Sequence, residues 1–212
     1  MVTKSTLGAG PNRDRASTEK RILAALHDLV VDEGIQALGV NRIARVAEAD
    51  KVLIYRYFGD LEGLFAAYAE ASDFWWTVDD LVGGNQPGPE EDSLAGWFKL
   101  ILRRHAGALR DRPVTLRLLA AETSMRNGLT IALEEVRERR ALELMVWVEA
   151  RFGRDHGLDL AAASAVLGAA INYLALRSTN IARFNGVDLT REEDWDRLFA
   201  TMDRMVEGVC AA

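Results

Sequence analysis

Residues 40–58, Val-Asn-Arg-Ile-Ala-Arg-Val-Ala-Glu-Ala-Asp-Lys-Val-Leu-Ile-Tyr-Arg-Tyr-Phe, constrain the fold of this chain more than any other stretch, because they set two short helical patterns around one tight turn. Val40, Ile43, Ala44 and Ala47 recur at helical spacing and share one face of a helix barely two turns long. A helix that short is not stable alone, so both patterns need a partner element. A second apolar set, Val52, Ile54 and Phe58, follows across Glu48-Ala49-Asp50, and Asp50 is a good N-cap for a helix starting at Lys51. Asn41, Arg42, Arg45, Lys51, Tyr55, Arg56 and Tyr57 are left on outer faces. Most of these side chains hydrogen-bond phosphates or base edges, so the pair of helices suits a DNA-reading surface.

The overall charge of −6 runs against such a surface until it is divided by position. Residues 1–60 carry nine Lys or Arg against eight Asp or Glu, so the acidic excess lies in the remainder. A local basic patch is sufficient, since exposed charges separated by more than a Debye length of about 8 Å are largely screened at physiological salt. At 212 residues the chain can bury a sizeable core in one or two domains. No apolar run approaches eighteen residues and residues 1–15 hold no apolar signal segment, so neither a membrane partner nor secretion is expected. The single cysteine, Cys210, has no internal partner, which fits a reducing cytoplasm.

Residues 1–16 lack periodicity and read as a flexible arm. Ser17 or Thr18 can cap a first helix with Ile22, Leu26, Leu29 and Val30 facing inward, and Gly34 ends it as a left-handed residue. Gly39 is a tolerable N-cap for the second helix. One long helix is expected over 60–81, carrying Leu61, Leu64, Phe65, Tyr68, Trp75 and Trp76 as a lever into the rest of the chain. Residues 83–89, rich in Gly and Pro, read as a linker. Asp92 or Ser93 can cap a helix with Trp97, Phe98, Ile101, Leu102 and His105 on its buried side, and Pro113 opens a shorter one. Residues 129–152 read as a long helix whose charged run, 134–140, is a solvated face with Glu135 and Arg139 paired. Two helices close the chain, over 159–183 and 190–209. The former is lined with small residues (Ala161, Ala165, Gly168, Ala169, Ala175) and the latter has a wide apolar stripe (Trp195, Leu198, Phe199, Met202, Met205, Val206, Val209). Two such helices from each of two chains would make a four-helix homodimer interface.

The first helix (residues 21–34), the second (Val40-Asn-Arg-Ile-Ala44) and the aromatic ending Ile54-Tyr-Arg-Tyr-Phe58 with Leu64 and Phe65 resemble the DNA-binding domain of tetracycline-repressor-type transcriptional regulators over roughly residues 15–65. The resemblance implies an all-α protein. A flexible arm (1–16) precedes a three-helix helix-turn-helix domain (17–62, motif about 39–58), and a helical effector-binding and dimerisation domain (63–212) follows. It implies a homodimeric repressor, released from a near-palindromic operator in double-stranded DNA by a small-molecule effector, with Asn41, Arg42, Lys51, Val52, Tyr55, Arg56 and Tyr57 on the DNA. It also implies a ligand pocket, for which Trp97, Phe98, His105, Trp147, Asn172 and Tyr173 offer apolar walls and a few polar groups. Three positions depart from the family pattern. Glu48 stands where the turn usually has Gly, so the turn must avoid a positive φ or accept strain. Leu53 and Leu61 replace a hydroxylated residue and a Lys that contact phosphates. An alternative reading is therefore a helical dimeric ligand- or protein-binding module whose reading head has decayed. No metal-ligand spacing, phosphate loop or nucleophile motif is present, so neither an enzyme nor a cofactor is expected.

Overall fold

The computed structural model describes residues 11–36, 38–71, 73–84, 88, 92–154 and 157–211, with the backbone alone for 11–13. The chain divides into two compact units, Met1–Ser72 with Arg126–Leu133, and Asp73–Met125 with Glu134–Ala212.

In the first unit α1 (Pro11–Glu33), α2 (Val40–Val46), α3 (Lys51–Phe58) and α4 (Leu61–Ala71) surround one apolar centre. Ile22, Leu26, Leu29, Ile43, Ile54, Leu64 and Phe65 fill it, joined by Leu129 and Leu133 from the first turns of α8 (Gly128–Phe152). This core supplies what two helices of 7 and 8 residues cannot hold by themselves. α1 begins six residues before the expected Ser17 cap. Thr18 donates back to the Asp14 carbonyl instead of capping, and Arg15 binds Glu19 one turn on, both of which continue the helix. The expected arm is helical from Pro11; residues 1–10 lie outside the described residues.

The expected long helix over 60–81 is two helices, α4 and α5 (Val78–Val82). Asp60 caps α4 through Gly63 N–H at 2.7 Å, and Thr77 with Asp80 forms a reciprocal capping box that starts α5 afresh. Between them Phe74 and Trp76 are buried, which a continuous exposed helix could not achieve.

α6 (Leu94–Arg110) is the centre of the second unit, packed by α5, α7 (Pro113–Glu122), α9 (Leu160–Ser178) and α10 (Glu192–Cys210). Ser93 caps it, accepting from Gly96 N–H at 3.1 Å, while Asp92 accepts from the Trp97 indole at 2.8 Å. Its buried face, Trp97, Phe98, Ile101, Leu102, Ala106 and Leu109, meets Leu167, Ile171 and Ala175 of α9 and Trp195, Met202 and Val206 of α10. Lys99, Arg103 and Arg110 on α6 bind Glu207, Asp203 and Glu192 on α10. α9 is long and apolar enough to span a membrane by length and composition, although the sequence shows no eighteen-residue run free of polar groups. Here its buried stripe belongs to the core on α6.

The expected helix over 159–183 stops at Ser178, and a hairpin not anticipated from periodicity follows, β1 (Arg183–Phe184) with β2 (Val187–Asp188). Asn185 and Gly186 at its tip have φ of 50° and 80°, the pair of positive values that a type I′ turn needs. Arg139 reaches Glu143 at 3.8 Å, one turn further along α8.

Candidate nucleic-acid interface and effector cavity

The α2–turn–α3 geometry follows from its hydrogen bonds. Asp50 caps α3 by accepting from Val52 N–H at 2.9 Å. α2 ends in a Schellman motif: Ala49 N–H donates to the Ala44 carbonyl at 3.0 Å and Glu48 N–H to that of Arg45 at 3.3 Å. That motif places its C′ residue in the left-handed region, and Glu48 is there with φ of 48°. The turn therefore accepts strain, on the order of 1 kcal/mol for a residue with a β-carbon.

With Ile43, Ala44, Ala47 and Ile54 buried beneath, the outer faces hold most of the expected set. Asn41 and Arg45 share one face of α2; Lys51, Val52, Tyr55 and Arg56 share one face of α3, all exposed. Lys51, Arg45 and Arg56 make no ion pair or hydrogen bond among the described residues, so their charge faces solvent. Val52, expected also in the apolar set, is 59% exposed and has no part in the core. Two of the expected contacts differ from the rest. Arg42 is half-buried and bound to Glu33 at the end of α1, with its Nε buried and unpartnered. Tyr57 is half-buried with the Arg15 guanidinium 5.1 Å from its ring centre, a cation–π contact that ties the ring to α1.

In the second unit a cavity of about 140 Å³ opens between α5, α6, α8 and α9. Trp75 and Trp76 stack at 3.9 Å to form one wall, and His105 stands edge-on to Trp76 at 4.7 Å. Phe98, Ile101, Leu102, Leu144 and Met145 complete the apolar lining; Arg137 and Arg140 are its charged residues. His105 Nε2 faces Asn172 Oδ1 at 2.8 Å, which fixes the ring with its proton on Nε2. Burial pushes this imidazole down to about 4 against a weaker upward effect of Asn172, so it is neutral at physiological pH. Arg137 binds Glu122 at 2.6 Å, and desolvation holds that carboxyl above its ordinary value despite the ion pair.

Of the six residues expected in the pocket, Phe98 and His105 line this cavity and Asn172 supports His105 from behind. Trp97 is buried and lines a smaller void of about 20 Å³, and Trp147 packs on it with ring centres 4.8 Å apart, away from the larger cavity. Tyr173 is a correction: it is 49% exposed and lies edge-on to Phe184 of the hairpin, because its position on α9 turns it away from α6. The sequence reading placed Trp75 and Trp76 on a helix and Arg137 and Arg140 on a solvated face. The Thr77-to-Asp80 box was the available sign that the helix broke before the cavity wall.

Comparison with known proteins agrees with this architecture. Residues 22–68 match the family model described as bacterial regulatory proteins, tetR family. The HTH-type transcriptional repressor SCO4008 of Streptomyces coelicolor is 31% identical over 146 residues, 69% of each chain. Among solved structures, native NalD, the secondary repressor of the MexAB-OprM multidrug efflux pump in Pseudomonas aeruginosa, superposes with a TM-score of 0.60 at 19% identity, covering 90% of this chain and 96% of that one. A TetR family transcription regulator from Marinobacter aquaeolei gives 0.58 at 20% identity over 92% and 96%. A reading head built on α2 and α3, an all-helical second unit, and a repressor relative alike over two thirds of both chains lead to one conclusion: the chain belongs to the TetR family of DNA-binding transcriptional regulators, which are not enzymes.

Proposed function

We propose that this regulator is a homodimeric repressor that grips a near-palindromic operator with α3 and lets go when a small molecule occupies the cavity of its second unit. The observation that carries the reading is the unpaired basic and tyrosine-bearing face of Lys51, Val52, Tyr55 and Arg56 on a capped helix braced from beneath. Asn41 lies beside it on α2, with Arg42 and Tyr57 contributing once their contacts to α1 yield. Reading helices of a dimer enter successive major grooves about 34–36 Å apart or at a multiple of that spacing. A ligand that binds better to a form with another spacing lowers the DNA-competent population by mass action.

The dimer is assigned to the outer faces of the last two helices. Val166 on α9 is 69% exposed and Met205 on α10 is 53% exposed, with Tyr173, Val209 and the small residues Ala161, Ala165 and Ala169 around them. Small residues let a second pair of helices approach closely, and the bulky ones supply apolar area to bury.

Selection of genomic fragments on the full chain, followed by anisotropy titrations at several salt concentrations, tests the reading. The expected result is an enriched near-palindrome whose affinity falls steeply with salt. Arg56→Ala should weaken the selected site by roughly 1–3 kcal/mol if the guanidinium is bidentate to guanine, and relax preference at one position. No enriched fragment, or unchanged affinity and preference in the variant, would overturn it.

A further inference from the structure

The chemistry of the cavity says more about the effector than that one exists. Its volume of about 140 Å³ is close to the roughly 150 Å³ of an engineered apolar cavity that takes up benzene, so it accommodates one six-membered ring and little beyond its substituents. The walls suit a flat ring. The stacked Trp75–Trp76 pair and the edge of His105 present π-faces and edges, and Phe98, Leu102 and Leu144 close the sides.

The polar lining is one-sided. Arg137 and Arg140 are the charged residues at the cavity, Thr77 and Ser164 add hydroxyls, no carboxylate is among the described residues that line it, and His105 is neutral at physiological pH. The two arginines differ in what they already hold. Arg137 is committed to Glu122 and lies 5.7 Å from the Trp75 ring centre. Arg140 is ion-paired with Glu143 through one terminal nitrogen at 2.8 Å, while its Nε is buried with no acceptor among the described residues. A buried donor without a partner is unfavourable, and a guanidinium fork matches the two oxygens of a carboxylate.

We propose that the effector is a small aromatic acid, a single ring bearing a carboxylate, with its ring against the wall formed by Trp75 and Trp76 and its carboxylate on Arg140. The assignment rests on the preceding reading of this cavity as the effector site. Its elements are on one side the volume and aromatic walls, on the other the spare donor of a cation in a lining without acids.

The test uses the full chain with three probes of one shape: 4-methylbenzoate, 4-methylbenzamide and 4-methylbenzylamine. Binding is read by calorimetry and by quenching of tryptophan fluorescence at pH 7.5. The acid should bind at least tenfold more tightly than the amide, and the amine should not bind. Arg140→Met should erase the preference of acid over amide while leaving amide binding within twofold. Arg140→Lys, which keeps the charge, should recover part of the preference, and thermal melts confirm that each variant folds. Gly168→Leu places its side chain from α9 into open space at the cavity, so it should block the acid and the amide without loss of fold. Equal binding of acid and amide, or an acid affinity unchanged in Arg140→Met, overturns the aromatic-acid assignment and keeps the cavity as a site. Binding by none of the probes, in a chain that still holds its selected fragment, overturns the assignment and the cavity as effector site together. A chain that selects no fragment but shows the Arg140-dependent preference instead fails the repressor reading and keeps this one.

Discussion

Protonation of one imidazole should govern the stability of the second unit in mild acid. In the folded chain His105 is pushed down to about 4 from an ordinary 6.5, first by burial among Trp75, Trp76 and the apolar wall of α6 and only weakly countered by Asn172. Between those two values the unfolded chain binds a proton that the native chain does not. Stability is therefore complete above pH 6.5 and falls as pH drops toward 4. Each unit of displacement is worth about 1.4 kcal/mol, so the loss across that window is about 3 kcal/mol.

The depressed carboxyls of Asp80, Asp92, Asp188, Glu192 and Asp194 give up their stabilisation as pH falls through and below their ordinary values of 3.8 to 4.5, which overlaps only the acid end of the histidine window. Glu122, held high by desolvation, acts within it and in the opposite sense, so the comparison must be between variants. His105→Gln keeps a neutral side chain at every pH. All five tryptophans lie in the second unit, so urea unfolding followed by tryptophan fluorescence reports on that unit alone. The wild type should lose about 3 kcal/mol relative to the variant between pH 7 and 4. Stability curves that stay parallel over that interval would refute the argument.

Glu48→Gly should stabilise the first unit by about 1 kcal/mol, read as a higher urea midpoint, because glycine adopts the left-handed C′ position of α2 without steric cost. The same change removes an acid beside Lys51 and should tighten DNA binding at low salt. Gly63→Ala should cost roughly 1–3 kcal/mol, since the added β-carbon would fall 2.0 Å from the Phe58 carbonyl oxygen and backbone must move to admit it; an unchanged melting temperature would show that α3 and α4 approach less closely. Val166→Glu together with Met205→Glu should leave a folded monomer in analytical ultracentrifugation. A persistent dimer would move the interface away from the outer faces of α9 and α10.

The reading head was legible because local signals and core pattern coincide there. The Asp50 cap, the left-handed Gly34 and the stripe Ile22-Leu26-Leu29 each point to the same elements. The cavity was much less legible. Trp75 and Trp76 continue the apolar spacing of α4, and only the Thr77–Asp80 box, three residues apart, announces that the backbone breaks before them. Arg137 and Arg140 sit in a run of alternating charge that looks solvated, because which side of α8 meets α6 depends on long-range packing and not on the run itself. The hairpin was missed for another reason. Two-residue strands carry too few side chains for an alternation, while Asn185-Gly186 alone carried the turn. Tyr173 was misplaced because α9 is apolar around much of its circumference, so composition could not say which side faces inward.

The ion pair between Arg42 and Glu33 has a consequence for how the regulator searches a genome. If the head reads DNA as proposed, a cation already paired with a carboxylate releases fewer counterions from random duplex, so among the described residues of α2 and α3 passing encounters would rest mainly on Arg45, Lys51 and Arg56. Fewer phosphates held means shorter stays at wrong addresses and quicker return to solution. Freeing Arg42 would then be favourable only where the rest of the head already fits, and one partly exposed ion pair would serve as a proofreading step.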